Sequence, residues 1–448
     1  MRIVIIGAGA VGFHVAKELS QGDHDITIVE IDPDKCRKVN EHLDVLVVEG
    51  NGASPNNLIN ANVQNADYVL ALTRVDEVNL IASQQAHVLG AKRIIARLRN
   101  QQYSTRDSII RPEKFGVDVV IHPEKVACEE IVQLIRHPYA TQIQEFEGGR
   151  LVMLGLQITE ESPLVSKAVK DVCIHDIEFK FGVVSVYRKG ETIVPWGDFI
   201  FNAQDIAYFI IKTEKLHSLL SIAEIREIKA TRIMILGGSK VGRSIAEELE
   251  NEMSVRLVES NRQKAGYIAN NLQNTMVIHA DGTDIEFLKS ENIHEVDSFL
   301  AVSQDEQTNL LSGMLAHHLG VKQVVIHLTT TEYIPIVKEL GFASIISKNI
   351  STANAITSEI QSDKSHTTLK SFDEMDVEIM EINPEPGSKI TKKPLSELDF
   401  PKASIVGVIN HHGHLSIARG TSILTDEDTV LVFAKKRVIP KLRKLFTR

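Results

Sequence analysis

Gly7, Gly9 and Gly12, set in the run Gly-Ala-Gly-Ala-Val-Gly, and Glu30, 18 positions beyond the last glycine, are the residues whose types and spacing point to defined chemistry. Gly7 permits a tight turn, Gly9 removes the Cβ that would hold a pyrophosphate off the backbone, and Gly12 lets a following helix lie close to the preceding strand. Ala8, Ala10 and Val11 complete the loop, whose N–H groups at a helix N-terminus present partial positive charge to phosphate. Glu30 is placed to accept hydrogen bonds from two ribose hydroxyls, and its charge would repel a 2′-phosphate. The chemistry is therefore binding of NAD(H), or of another adenosine nucleotide, rather than of NADP.

A glycine pattern alone is a weak signal, so the elements around it decide its value. Arg2 to Ile6 is a short β-branched run, Val11, Val15, Ala16 and Leu19 follow at helical spacing, and Ile26 to Val29 is a second strand that ends at Glu30. Strands over Leu43–Val48, Tyr68–Leu72, Arg93–Leu98 and Val117–Ile121 then alternate with helical segments beginning at Asn57 and spanning Glu77–Leu89 and Lys125–Ile135. That alternation predicts a doubly wound parallel sheet with its ligand beyond the carboxyl ends of the strands.

From Gln142 the texture changes: Arg150–Leu156, Val183–Tyr187, Glu191–Val194 and Ile206–Ile211 read as strands, and only Pro163–Val172 as a helix. Then the pattern restarts. Gly237-Gly238-Ser239-Lys240-Val241-Gly242 lies 230 positions after the first loop, and Glu259 closes the next strand 17 positions past Gly242. The same offset relates Asn51-Gly52 to Asp281-Gly282, Asn79-Leu80 to Asn309-Leu310, His87 to His317 and Tyr103 to Tyr333, which marks an internal duplication. Pro195-Trp196-Gly197-Asp198 is answered by Ala418-Arg419-Gly420-Thr421, and Asp205 by Asp428. The fold class is α/β, with two Rossmann-like doubly wound domains, 1–136 and 230–362, each followed by a small α+β module, 142–220 and 370–448. Glu214–Lys229 reads as a helix joining the halves.

The chain has 448 residues, 43% of them hydrophobic and 24% charged, with a net charge of −10. That balance argues against a nucleic-acid partner and against a polybasic membrane anchor. No apolar run approaches the roughly 20 residues that span a bilayer, and the chain opens on a strand rather than a signal peptide. It is expected to be cytosolic, or held at a membrane by a partner. Cys36, Cys128 and Cys173 are widely spaced and read as small buried apolar residues of a reducing compartment.

Tandem nucleotide units, each with its small module, and the segments TRVDEVNL (Thr73–Leu80) and SQDEQTNL (Ser303–Leu310) after the fourth strands together resemble the TrkA-type regulatory subunits of Trk potassium uptake systems. The resemblance covers the whole chain. It implies a homotetrameric ring on the cytoplasmic face of an integral potassium-translocating subunit like TrkH. It also implies binding of NAD(H), ATP or ADP that opens or closes the potassium pathway, with no catalysis. On the positions whose letters match it implies Gly7, Gly9, Gly12, Glu30 and Arg97 as site residues; the candidate site also takes in Ala8, Ala10, Val11, Asn51 and Thr73, and in the second half Gly237, Ser239, Lys240, Val241, Gly242, Glu259 and Asp281. An arginine at Arg97 can hold phosphate with two parallel hydrogen bonds.

Three positions depart from the family pattern. Asn51 stands where an aspartate is common, Ser239 stands where the middle glycine would be, and His327 takes the place of Arg97 in the second half. A serine side chain restricts approach to the backbone, so the second site is expected to bind more weakly or to take a different nucleotide.

Other signals carry less. His411-His412-Gly413-His414 reads as a solvated hairpin rather than a metal site, because no cysteine or carboxylate sits nearby at ligand spacing. Trp196, the only tryptophan, reads as a packing anchor. Lys240 lies in a loop without the Walker spacing, so ATP hydrolysis is not expected. The alternative function, an NAD-dependent oxidoreductase, needs a substrate domain that brings a general acid or base to the nicotinamide, and the modules look too small and too poor in such groups.

Overall fold

Ile3, Val4, Ile5 and Ile6 are fully buried, as only a strand covered on both faces allows. They form β1 (Arg2–Ile6), at the centre of a parallel sheet with β2 (Asp25–Glu30), β3 (Leu46–Glu49), β4 (Tyr68–Ala71), β5 (Arg93–Arg97) and β6 (Val119–Ile121). The computed structural model describes residues 1–20, 22, 24–103, 108–172, 181–225, 230–342, 344–362, 367–372 and 377–447. Cys173, and residues 226–229 of the expected joining helix, lie outside the described residues. The strand order is β3-β2-β1-β4-β5-β6, so the direction of winding reverses between β1 and β4. The glycine loop leaves β1 at that switch point, where such sheets take their ligands.

The first module is an antiparallel sheet of β7 (Gln142–Phe146), β8 (Leu151–Gln157), β9 (Phe181–Arg188), β10 (Glu191–Ile193) and β11 (Ile206–Lys212), ordered β10-β9-β11-β8-β7. The second parallel sheet comprises β12 (Arg232–Leu236), β13 (Ser254–Glu259), β14 (Met276–His279), β15 (Ser298–Ala301), β16 (Gln323–His327) and β17 (Ser344–Ile346), and its order repeats the first. The last sheet is β18 (Thr367–Phe372), β19 (Val377–Ile382), β20 (Ser404–His411), β21 (His414–Ile417) and β22 (Asp428–Ala434), ordered β18-β19-β22-β20-β21. Read from β21 back, this is the first module's order, so the duplication extends to topology. Among the described residues no helix is long and apolar enough to cross a membrane.

Several expectations are corrected. The helix expected over Pro163–Val172 is confined to Val169–Val172, because Ser166 sits at φ +64° and Ala168 is engaged in a bridge to Ile200. The joining helix shrinks to Leu216–Ile222: Glu224 at φ +52° stops it, and Leu219 and Leu220 bury in the first module's core instead of spanning a linker. The third strand starts at Leu46 rather than Leu43, because Leu43 caps the helix Pro33–His42. Strand β7 escaped the sequence reading. Trp196 is 49% exposed and is not a packing anchor. Cys36 and Cys128 are buried free thiols, as expected, and burial pushes the Cys128 thiol up to about 12.

The chain divides into two compact units that do not follow its halves. Met1–Val132 and Arg232–Ile360, the two doubly wound folds, form one unit, and Gln133–Thr231 with Gln361–Arg448, the two modules, form the other. In the first unit the helix Lys348–Ser362, which follows the second sheet, places Ala353, Ile356 and Ile360 in the first fold's core beside Ile3, Ile5, Val15 and Leu70. Glu359 pairs with Arg93 of β5 at 2.6 Å, and Ser351 donates to Glu130 of the helix Pro123–Arg136. In the second unit a single apolar cluster includes Met153, Tyr208 and Ile210 of one sheet and Ile379, Leu431 and Phe433 of the other.

Candidate functional site: two glycine-floored cradles

In the first cradle the three glycines have three different reasons to lack a side chain. Gly7 sits at φ +100°, and a Cβ there would come within 3.1 Å of the Thr73 backbone. A Cβ on Gly12 would lie 1.9 Å from the Gly7 carbonyl oxygen, so that glycine is required for the helix to pack. A Cβ on Gly9 would meet nothing within 4 Å. The fold does not need that glycine, and the space it leaves lies at the N-terminus of the helix Ala10–Leu19, which no side chain caps. Open space above uncapped N–H groups suits a pyrophosphate.

Glu30 is buried and already engaged. One carboxylate oxygen accepts from the Ala8 N–H at 2.6 Å, and the other from the N–H groups of Ile31 and Asp32 at 2.9 and 3.0 Å. The residue expected to hold ribose therefore also ties the glycine loop to the end of β2. Replacing it by alanine leaves three N–H groups without these acceptors. Glu30→Ala is expected to lower stability by about 2 kcal/mol and to weaken NADH and ATP together. Denaturant unfolding and calorimetric titration check this, and unchanged affinities for both nucleotides would dismiss the ribose contact.

The second cradle repeats the frame and alters the floor. Gly237 at φ +105° and Gly242, whose Cβ would lie 2.1 Å from the Gly237 carbonyl, match Gly7 and Gly12. Ser239 fills the place of Gly9. Its hydroxyl accepts from Gly242 N–H at 3.1 Å and donates to the Val302 carbonyl at 2.7 Å, so it caps the helix that the first cradle leaves uncapped. Glu259 accepts from Gly238 N–H at 3.0 Å and pairs with Lys264 at 2.6 Å. Burial opposes its charge, but Lys264 and the backbone donors hold its carboxyl below the usual range. Lys240, considered as a phosphate ligand, donates instead to the Arg99 carbonyl of the first fold at 3.2 Å.

The motifs after the fourth strands now have a physical role. The Asn79 side chain accepts from Thr73 N–H at 2.9 Å and donates to the carbonyls of Thr73 and Arg97, pinning the end of β4 to the end of β5. Asn309 does the same for Ser303 and His327. Asp76 accepts from the N–H groups of Arg99 and Asn100, and Glu306 from those of Thr329 and Thr330. Burial opposes the Glu306 charge, but these bonds and the two threonine hydroxyls bring its pKa down to about 2. Asn51 and Asp281 each accept a backbone N–H two residues on, shaping the turn after the third strand in both halves.

Arg97 closes β5, is 8% exposed as a residue, and has a buried Nε with no hydrogen-bond partner. Burial first, then the charge of Arg99, pushes its pKa down. Nearby, Glu124 takes both Arg99 and Lys348 on one oxygen at 3.4 Å, while its other oxygen is buried without a partner. A buried guanidinium with an unused donor is costly unless something accepts from it, and at the carboxyl end of β5 a phosphate would do so.

The sequence matches the model of the TrkA-N domain at residues 3–123 and 233–348 and that of the TrkA-C domain at 153–223 and 379–447. The chain belongs to the TrkA family. It is 31% identical over 451 residues to the Trk system potassium uptake protein TrkA of Halomonas elongata, covering 100% of this chain and 98% of that protein. It is 32% identical over 455 residues to TrkA homolog 1 of Methanosarcina mazei, covering all of both. Among solved structures, the GsuK channel bound to NAD superposes with a TM-score of 0.62 at 15% identity, over 99% of this chain and 78% of that one. As a TrkA-family chain it keeps both cradle frames.

Of the site residues expected from sequence, Gly7 lies against Thr73 and Glu30 holds the Ala8 N–H in the first loop, Glu259 holds the Gly238 N–H in the second, and Asn51 and Asp281 shape the turns after the third strands. Lys240 reaches away to the facing fold. Glu124, Arg99 and Lys348 were missed. An acid behind His122-Pro123 and a lysine opening a helix carry no motif, and only the contact between the two folds joins them.

Proposed function

We propose that this chain is a nucleotide-binding regulatory subunit of a Trk-type potassium uptake system, and that filling the first cradle with NAD(H), ATP or ADP shifts how the two nucleotide folds are held. The observation that carries the reading is Gly9: its Cβ position is open, over an uncapped helix N-terminus, in a fold that closes the space at Gly12. A ligand needs only different affinities for two arrangements to drive such a change, and no bond need be made or broken. The relatives' name, Trk system potassium uptake protein, and the NAD held by the GsuK channel of like fold support it.

In this reading the segments 1–136 and 230–362 are nucleotide domains, with 142–220 and 370–448 as their modules. The chains assemble as a homotetrameric ring on the inner face of the membrane, against a TrkH-like potassium-translocating subunit. The first cradle is the responsive one. The second, with Ser239 occupying its own helix N-terminus, binds more weakly.

The test has two arms. Calorimetric titration of the intact chain with NADH, ATP and ADP should show one tight site. Potassium flux through vesicles holding the membrane subunit should differ between nucleotides when the chain is added. Flux indifferent to every nucleotide would overturn the regulatory reading, as would sustained turnover of NADH by the isolated chain.

A further inference from the structure

The hairpin between β20 and β21 turns on His412 at φ +49° and Gly413 at φ +87°, a two-residue turn that suits the twist of paired strands. Sequence spacing shows no acid beside its histidines, but the fold supplies two from the start of β22. His411, His412 and Glu427 each offer one ligand atom, all within 4.8 Å of one another. Their side chains are 49%, 67% and 63% exposed, and His412 Nε2 lies 3.0 Å from a Glu427 oxygen.

Behind this group Asp428 is 4% exposed. One of its oxygens meets His411 Nδ1 at 2.7 Å, and the other accepts from the Thr425 N–H at 2.7 Å. A buried carboxylate on one ring nitrogen fixes the imidazole and leaves Nε2 as the open one, which is how metal-bound histidines are held in place. The turn is also anchored from outside, since Arg150 donates to the Gly413 carbonyl at 3.0 Å.

The first module provides an internal comparison. Its equivalent hairpin, 223 positions earlier, carries Arg188, Lys189 and Gly190, with Gln204 and Asp205 at the next strand. Arg188 holds both oxygens of Asp205 at 2.7 Å, and Lys189 takes the same left-handed turn position at φ +50°. The buried aspartate and the turn are thus satisfied with no histidine present. In the second module all three surrounding positions instead carry metal-ligating types, and packing does not account for that change.

We propose that His411, through Nε2, His412 and Glu427 bind one borderline divalent transition-metal ion of the zinc class, with Asp428 as the positioning residue. Two imidazoles and a carboxylate favour zinc, nickel or copper(II) over calcium or magnesium. Bonds of 2.0–2.1 Å bring tetrahedral ligand atoms to about 3.4 Å apart. The exposed side chains close on the ion by changing rotamer, and the ion replaces the direct contact between His412 Nε2 and the Glu427 carboxylate. Three protein ligands leave a fourth position for water.

The test is titration of the full-length, chelator-stripped protein with Zn2+ by calorimetry and with Co2+ by visible absorption. One ion per chain is expected. His412→Ala and Glu427→Gln should each weaken it about tenfold or more with an unchanged thermal midpoint in the metal-free protein, whereas Lys189→Ala should leave the affinity unaltered. Absence of binding at about 100 μM metal, or parental affinity in both the His412 and Glu427 variants, overturns the site.

Discussion

Gly12→Ala is expected to destabilise the first doubly wound fold strongly, and Gly9→Val to leave it folded but unable to bind NADH. The two glycines are three residues apart in the same loop, yet a methyl group on Gly12 would stand 1.9 Å from the Gly7 carbonyl oxygen while one on Gly9 meets nothing within 4 Å. To relieve the first contact the helix must move off β1, a cost of about 3 kcal/mol. Valine at Gly9 replaces a helix-capping glycine by a poor cap, worth about 1 kcal/mol, and fills the space where the pyrophosphate would approach. NADH affinity should fall by more than about 100-fold, equivalent to about 2.7 kcal/mol. Denaturant midpoints and calorimetric titrations on both variants separate the outcomes: both lose binding, and Gly12→Ala loses far more stability than the roughly 1 kcal/mol of the lost cap in Gly9→Val. Undiminished NADH binding by the valine variant would place the nucleotide elsewhere.

Acidification from pH 6.5 to 4 is expected to weaken the second nucleotide fold through His327, which stands where the first fold has Arg97. His327 is 8% exposed and its buried Nε2 lacks a partner, and burial, helped by the charge of Lys348 and opposed by Glu306, brings its pKa down from 6.5 to about 4. Above pH 6.5 the imidazole is neutral in both folded and unfolded chains, and its titration costs nothing. Below that, the unfolded chain takes up a proton that the folded one refuses, so stability is lost until about pH 4. The difference in pKa corresponds to about 3 kcal/mol in all. His327→Leu removes this component. The gap between parent and variant in thermal midpoint should therefore change across that window and stay constant above it. Parallel curves from pH 8 to 4 would show that His327 titrates normally.

Much of the fold was legible because its signals are local. The run from Met1 to Glu30 contains strand, turn, helix and acid in thirty consecutive residues, and the recurrence at Gly237 identified the duplication without any three-dimensional information. What failed involved partners distant in sequence. Leu219 and Leu220 follow a helical period that suits either a linker or a core, and only the module's packing decides between them. Glu427 and Asp428 lie outside any ligand spacing from His411, and antiparallel pairing of β20 with β22 brings them together. Glu30 was identified for its charge toward ribose, whereas its contacts with Ala8, Ile31 and Asp32 follow from backbone geometry that no letter code carries. The division of the chain into a pair of doubly wound folds and a pair of modules was the least legible feature, since each pair joins segments separated by the whole of an intervening domain.

The helix Lys348–Ser362, seated in the core of the other nucleotide fold, makes the pair a covalently linked couple. Two copies of one half-length chain meeting in the same way would be obliged to carry identical loops, so every substitution would appear on both sides at once. Joined end to end, the partners are free to differ. One keeps bare glycine over an open helix end while its twin plugs the equivalent opening with a hydroxyl, and a symmetrical scaffold thereby holds two unlike pockets.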